Sequence, residues 1–448
     1  LINKIFIFCI IVLCNQSHAE SQLEPIIKLT GHDNSYSTEQ YQANITLVTP
    51  TGDDEATLLS NTNLDTEVAY NPEDGAIWQR IRGGFTLENM NSPLVTRHEQ
   101  WYANRPDYVA RMMTRANRYL YYITREVERR GMPAEIALLP MIESAYNPEA
   151  NSSANASGIW QFIPSTGLRF GLQQNWWYDG RRDIVSATTG ALDYLQKLHT
   201  KFIDWDLALA AYNWGEGAVQ RAQEYNRKRG LGVDYASLKM PDETRNYLPK
   251  LFAIKNIVTN PARYGMTLPN INNQPYFAEV ASEKHIDAEL IAQLAEISKE
   301  EFSALNPAHT RPVILQNHGD IILLPIDKIE IFRSNLDSYD KPLVSWQSYR
   351  ATKGERLDDL APRFGLSLEK LRSINGLSTQ THLGAGETLL VPLNGETGSA
   401  DSEINLFTMQ PPPVQTINKP IIQLKSIIRK RENYAKLTRR EHSSAHKS

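Results

Sequence analysis

The hydrophobic and polar positions of this chain change texture along its length. Residues 5–14 form an unbroken apolar run. Residues 20–73 sustain neither a helical nor a strand period and are dominated by Asn, Thr, Asp, Ser and Gln, which predicts a tether. From residue 77 to about 268 long helical stretches take over. Residues 111–130 contain no Pro or Gly and stop at Gly131, predicting one helix. Pro133 opens the next, which carries Ile136, Leu138, Leu139, Met141 and Ile142. It is apolar nearly all round and belongs inside the fold. Further helices are predicted over residues 184–202, 205–212, 216–229 and 244–260, with no β-rich stretch of comparable length. This region is mostly α.

Beyond Tyr276 the pattern repeats. Ser298, Phe302, Leu305 and Asn306 line up with Ser367, Leu371, Ile374 and Asn375. A short apolar helix precedes each set (Leu290 and Leu294; Leu357 and Leu360), and an apolar strand closing on Pro325 or Pro392 follows each. Strand, helix, helix, strand in about 50 residues makes a small β-α-α-β unit with a marginal core. The predicted organisation is a leader at 1–19, a tether at 20–75, a helical domain at 76–268, small modules at 275–330 and 344–395, and a Pro-containing linker with a basic tail at 396–448.

Composition narrows the class. Hydrophobic residues at 41% and charged residues at 22% of 448 sit near globular averages. A net charge of −4 gives no whole-chain case for nucleic acid. The two cysteines, Cys9 and Cys14, exclude a disulfide scaffold and Cys-based zinc sites. Both lie in the apolar run, which follows Lys4 and is shorter than the ~20 residues a bilayer span needs. It reads as a signal-peptide core with cleavage after Ala19. Lipidation at Cys14 is the weaker alternative, because Leu13 stands where lipoprotein signals want a small residue. Export to the periplasm or cell envelope follows, with outer-membrane association the variant that lipidation would bring. The tail from Lys419 onward holds nine Lys/Arg against Glu432 and Glu441, interleaved with Ile421, Ile422, Leu424, Ile427 and Ile428. It is a solvated basic tail or a contact for an anionic wall polymer or membrane surface.

Four short motifs carry candidate chemistry. Glu143-Ser144-Ala145-Tyr146-Asn147-Pro148 ends the apolar helix on a carboxyl. Desolvation there raises a carboxyl pKa, as a general acid near neutral pH requires. Taken alone, a Glu at a helix end more often faces solvent. Gly158-Ile159-Trp160-Gln161-Phe162 offers close backbone approach at Gly158 and an amide at Gln161 suited to sugar hydroxyl and acetamido groups. Taken alone, core packing by Trp160 and Phe162 with a Ser165 or Thr166 cap is the favoured explanation. Ala211-Tyr212-Asn213-Trp214-Gly215 and Thr244-Arg245-Asn246-Tyr247 each add a tyrosine with an ordinary structural explanation.

Together and in this order, the four motifs resemble those of the lytic transglycosylases of glycoside hydrolase family 23. The resemblance runs from about Met132 to Tyr264. It implies a mostly α, lysozyme-like catalytic domain, and the α+β modules behind it resemble LysM peptidoglycan-binding units. Tyr349, Gly354-Glu355-Arg356-Leu357, Asn375-Gly376-Leu377 and the strand ending at Val391-Pro392 carry the second likeness. The LysM pattern commonly has Asp-Thr where this chain has Glu355-Arg356. The 275–330 copy lacks that loop and reads as a degenerate structural module.

The resemblance implies Glu143 as the single catalytic carboxyl, acid and then base, cleaving the β-1,4 bond of peptidoglycan with a 1,6-anhydromuramic end. It puts Ser144 and Gln161 near the acetamido group and the acid, and Tyr212, Asn213 and Tyr247 around the reacting sugar. In the LysM unit Gly354, Glu355, Asn375 and Leu377 are the implied glycan contacts. No metal or cofactor is expected, HExxH and clustered His patterns being missing from the sequence, and the missing Gly-x-Ser-x-Gly removes the obvious serine-hydrolase reading. The expected partner is the glycan strand, met by a monomer. Two alternatives stay open: a hydrolytic muramidase, with Asp179, Asp183 or Glu216 activating water, and a non-catalytic envelope-binding protein.

Overall fold

The computed structural model describes residues 76–393, save 283, 317–320 and 378, together with a two-residue strand at Ile27–Lys28. The expected leader, Cys14, the basic tail and all of the expected tether but Ile27–Lys28 lie outside the described residues. The chain divides into two compact units that part between Ser345 and Trp346.

The first unit opens with helices α1 (Ala76–Gly83), α2 (Pro93–Ala103), α3 (Pro106–Ala116) and α4 (Leu120–Arg129). The single helix expected over 111–130 is therefore two. Nothing local breaks it, and the cause is tertiary. At the break Arg118 forks onto Glu301 (3.0 and 2.5 Å), and the buried Tyr119 donates its hydroxyl to the Ala304 carbonyl at 2.7 Å.

The apolar helix after Pro133 starts as a 3-10 turn, Ala134–Leu138, and becomes the short α5 (Leu139–Glu143). Pro140 has no N–H for an α-type bond to Ile136, so the Leu139 amide takes the Ile136 carbonyl instead. The segment is buried as its composition requires, with Ile136, Leu138 and Leu139 at 0% exposure. Inside it Glu135 is also at 0%, balanced by Lys255 (2.9 Å) and by the amides of Thr86 and Leu87. Each ion offsets the other's desolvation, so removing either partner costs ~3–5 kcal/mol.

Next come α6 (Pro164–Arg169), α7 (Ile184–Phe202), α8 (Trp205–Trp214), α9 (Glu216–Arg227), α10 (Asp242–Arg245) and α11 (Tyr247–Thr259). Helix α7 matches its expected bounds because Asp183 caps it, accepting from the Ser186 amide. The helix expected over 244–260 is split at Asn246. There the Asn246 side chain bonds back to the Asp242 carbonyl, and Tyr235 takes the Thr244 and Arg245 carbonyls, so local side chains compete with the helical ladder.

The first small module stays in the same unit. Phe277–Ala281 pairs antiparallel with Ile321–Pro325, Phe277 opposite Pro325, and lies parallel to Ile27–Lys28. Helices Ala288–Leu294 and Lys299–Leu305 fill the β-α-α-β pattern. A further helix at Ile329–Asp337, not foreseen in the sequence, buries Ile329 and Phe332 in the module core. Phe277, Leu305 and Leu323 belong to the core of the helical domain itself.

The second unit repeats the pattern alone. Trp346–Arg350 pairs with Thr388–Pro392, helices Leu357–Arg363 and Leu368–Asn375 lie between them, and Leu357, Leu371, Leu389 and Val391 form a separate core. Among the described residues no helix is long and apolar enough to cross a membrane.

Candidate active site

Separate segments of the helical domain line one cleft of about 490 Å³. Glu143 enters at the end of α5, Gln161 and Phe162 from the loop before α6, Tyr212 and Asn213 from the end of α8, and Glu243, Tyr247 and Lys250 from α10 and α11.

Two left-handed residues, Ala145 (φ 51°) and Tyr146 (φ 55°), turn the chain directly after the acid. That turn is pinned from inside. The fully buried Tyr146 donates its amide to Pro140 (3.0 Å) and its hydroxyl to Ala137 (2.7 Å). Helix α8 reaches the cleft because Asp204 caps its start through the amides of Asp206 and Leu207, and Gly215 (φ 95°) ends it. Gly158 is fixed by close approach: a Cβ there would sit 2.1 Å from the Arg181 carbonyl oxygen.

Around Glu143 the wall is phenolic. The Tyr247 hydroxyl donates to Glu143 Oε1 at 2.5 Å, while Oε2 has no hydrogen-bonding partner among the described residues. Tyr212 donates to the Trp160 carbonyl at 2.9 Å. Burial pushes the Glu143 carboxyl up to about 7, the Tyr247 hydrogen bond and the Lys250 charge pull it down, and the Glu243 charge adds to the rise. Burial and the nearby Glu143 charge push both phenols well above their ordinary value, so each keeps its proton and serves as a hydrogen-bond donor throughout the working range. A half-protonated carboxyl near neutrality, held by one oxygen and open at the other, can give a proton and take one back.

The other expected residues divide. Gln161, itself left-handed at φ 52°, donates its amide to Gly158 (2.8 Å) and Ala150 (3.2 Å). Its carboxamide oxygen has no partner among the described residues. Asn213 accepts from Thr244 Oγ1 at 2.8 Å, with its amide 3.5 Å from Glu243. Ser144 departs from expectation. Its hydroxyl donates to the Ile159 (3.0 Å) and Pro140 (3.2 Å) carbonyls, tying the acid's turn to the opposite loop rather than lining the cleft.

In the second unit two implied glycan contacts are core instead. Leu377 is buried, and Asn375, 1% exposed, spends its amide on the Leu371 and Leu390 carbonyls and its oxygen on the Leu390 amide. Glu355 accepts from the Tyr349 hydroxyl at 2.9 Å, and Gly354 has open space around it.

None of the alternative acids lines the cleft. Asp179 is forked by Arg181, Asp183 caps α7 and takes the Tyr178 hydroxyl, and Glu216 pairs with Lys201. The second carboxylate of the cleft is Glu243, which sequence reasoning missed together with Lys250. The available signal was spacing: Tyr247 and Lys250 are one turn apart on a single helix face, and Glu243 precedes Tyr247 by four. Among the described residues no cluster of His, Asp or Glu could hold a metal ion.

Residues 121–231 match the family described as Transglycosylase SLT domain. Residues 276–341 match the LysM-like domain of lytic transglycosylase MltD, and residues 349–392 the LysM domain. Membrane-bound lytic murein transglycosylase D of Escherichia coli strain K12 is 34% identical over 330 residues, covering 71% of this chain and 73% of its own. The chain belongs to the lytic transglycosylases. A more distant relative, membrane-bound lytic murein transglycosylase C of Glaesserella parasuis, is 29% identical over 157 residues, 32% of this chain and 40% of its own. A solved structure of an inactive mutant of lytic transglycosylase Slt from Pseudomonas aeruginosa covers 47% of this chain and 41% of its own at 18% identity. Its TM-score of 0.28 is too loose a likeness to argue from. A helix-rich lysozyme-like domain thus precedes two LysM-type modules, and the SLT and LysM matches mark a chain that binds peptidoglycan.

Proposed function

We propose that this transglycosylase cleaves the β-1,4 bond between N-acetylmuramic acid and N-acetylglucosamine with Glu143 as its only proton-transfer group, leaving 1,6-anhydromuramic ends. The observation that carries the reading is the Glu143 carboxyl, pushed up to about 7 by burial and oriented through Oε1 by Tyr247. Its protonated form gives the proton to the oxygen leaving C1. The resulting carboxylate takes the proton of the muramic C6 hydroxyl as that oxygen closes on C1. No water is consumed, and the ring hydroxyl has the large effective molarity of a group already in place. Gln161, Asn213 and Tyr212 are the proposed sugar-binding groups, with Gly354 and Glu355 the remaining candidates in the LysM unit. Export through residues 1–19, action in the cell envelope as a monomer, and wall remodelling belong to the same proposal.

A hydrolytic reading keeps one observation in its favour: Glu243 is a second carboxylate in the cleft. Digestion of sacculi in ¹⁸O-labelled water separates the two. The proposal expects unlabelled muramic ends one water lighter than reducing ends, from the native enzyme and from Glu243→Gln alike. Glu143→Gln should lose at least ~10³-fold in rate while staying folded, in keeping with general acid–base catalysis. Label at C1 in the primary product would overturn the anhydro reading.

A further inference from the structure

Three regions that sequence sets far apart are joined by one run of contacts. In the first small module the 308–310 segment pairs like a strand with 177–179. The Asp179 amide donates to the Ala308 carbonyl (2.9 Å), the Thr310 amide to Trp177 (3.0 Å) and the Thr310 hydroxyl to Trp176 (2.8 Å). Arg311 covers the Trp176 ring at 4.3 Å. The far side of that loop holds the cleft wall. Asp179 aligns Arg181, whose guanidinium reaches the carbonyls of Asn155 (2.6 Å) and Phe162 (3.3 Å). Arg182 donates to Ser157 (2.9 Å) and Asn151 (3.2 Å). The wall so held contains Gln161 and Phe162, and it is where Gly158 meets the Arg181 backbone.

We propose that the 276–341 module acts as a brace for the glycan cleft, with Thr310 and Arg181 as positioning residues that fix the 151–162 wall through the 176–182 loop. Such a wall needs outside support. It includes left-handed Asn155 and Gln161, and its internal bonds are turns and isolated bridges, such as Ser152 to Ala156 and Ser157 to Phe162, with no regular helix or strand crossing it. The acid stands on α5 and its phenolic partner on α11, neither of which the brace touches through these contacts. The wall meets the acid's surroundings through Ser144, which donates to Ile159, and Tyr212, which donates to Trp160, so the brace acts first on how glycan is seated.

The kinetic arm rests on the cleft being the glycan site, and a second arm is independent of that reading. In the full-length chain, Thr310→Val and Arg181→Met should each raise KM for a soluble glycan-strand oligosaccharide several-fold, with the alkaline limb of the pH profile unmoved. Their combination should be no worse than the worse single variant, because both cut one relay. Thr310→Ser, which keeps the hydroxyl, should restore native KM. Amide hydrogen exchange without any substrate should speed up in 151–162 in both variants while α7 and α11 keep native protection. Unchanged exchange in 151–162 in folded variants, additive losses, or protection lost uniformly across the helical domain would each overturn the brace. Faster exchange in 151–162 with no KM change would retain the brace and remove that wall from the glycan site.

Discussion

In both small modules an asparagine at the end of the second helix staples that helix to the closing strand. Asn306 accepts from the Leu323 amide (2.7 Å) and donates to the Leu323 and Phe302 carbonyls. Asn375 does the same with Leu390 and Leu371. Around that shared interior the surfaces differ. The first copy gives Phe277, Leu305 and Leu323 to the core of the helical domain and fixes Glu301 between Arg118 and Tyr276. The second has a core of its own and belongs to a separate unit. A repeat thus specifies a fold twice and a role once: the copy whose outer face is apolar has become part of the catalytic unit, and the other remains a module.

Deletion tests this contrast most strongly. Removing residues 346–393 should leave turnover of short soluble glycans native and weaken binding to sacculi by ~10²-fold, the loss of one of two linked sites. Removing 276–341 should yield no soluble catalytic domain, because the helical core would lose Phe277, Leu305 and Leu323. A soluble, active protein after the second deletion would erase the distinction. The staples come next. Asn306→Ala and Asn375→Ala each strand one amide and one carbonyl of the closing strand, at Leu323 or Leu390, costing ~3 kcal/mol. Thermal unfolding should register the first in the catalytic transition and the second only in the transition of the 346–393 unit. A shift of the catalytic transition by Asn375→Ala would mean the two units are coupled.

How far the sequence disclosed this arrangement depended on the range of the interaction involved. Helix α7 was legible to its ends because its cap, Asp183, is adjacent. The breaks at Asn117 and Asn246 were not. The first is stabilised by Glu301, 183 residues beyond Arg118, and no local pattern carries that information. The same divide runs through the site. Glu143, Tyr212 and Tyr247 were legible as motif positions, and the cleft brings them together. Ser144, Asn375 and Leu377 stood at motif positions too, yet their partners turn them inward. Sequence reveals that a polar side chain is present, and the carbonyls it finds decide whether it serves a ligand or the backbone.

The smallest expected effects concern pH, and they place the chemistry in the first unit. Activity should fall as pH rises through about 7, when Glu143 loses its proton. Glu243→Gln removes a like charge and should move that limb to lower pH, and Lys250→Met removes an opposite charge and should move it up. Each shift is expected to be a few tenths of a unit, since Glu243 is exposed and Lys250 only half-buried. The native state keeps the Glu143 proton to about pH 7, whereas the unfolded chain releases it near 4.5, so stability declines with rising pH between those values. Glu143→Gln should flatten that decline. All three responses should persist in protein truncated after Ser345, and a limb that moves on truncation would tie the second unit to the chemistry.

The left-handed pair after Glu143 bears on how this enzyme would drift under selection. Ala145 holds φ 51° with its methyl buried, a conformation glycine adopts at ~1 kcal/mol less. In a library screened only for survival at high temperature, Ala145→Gly should therefore recur. In one screened for wall cleavage it should be rare, because a looser hinge lets the carboxyl wander from Tyr247. The ratio of the two frequencies would measure how much heat tolerance the lineage has given up to keep one acid still.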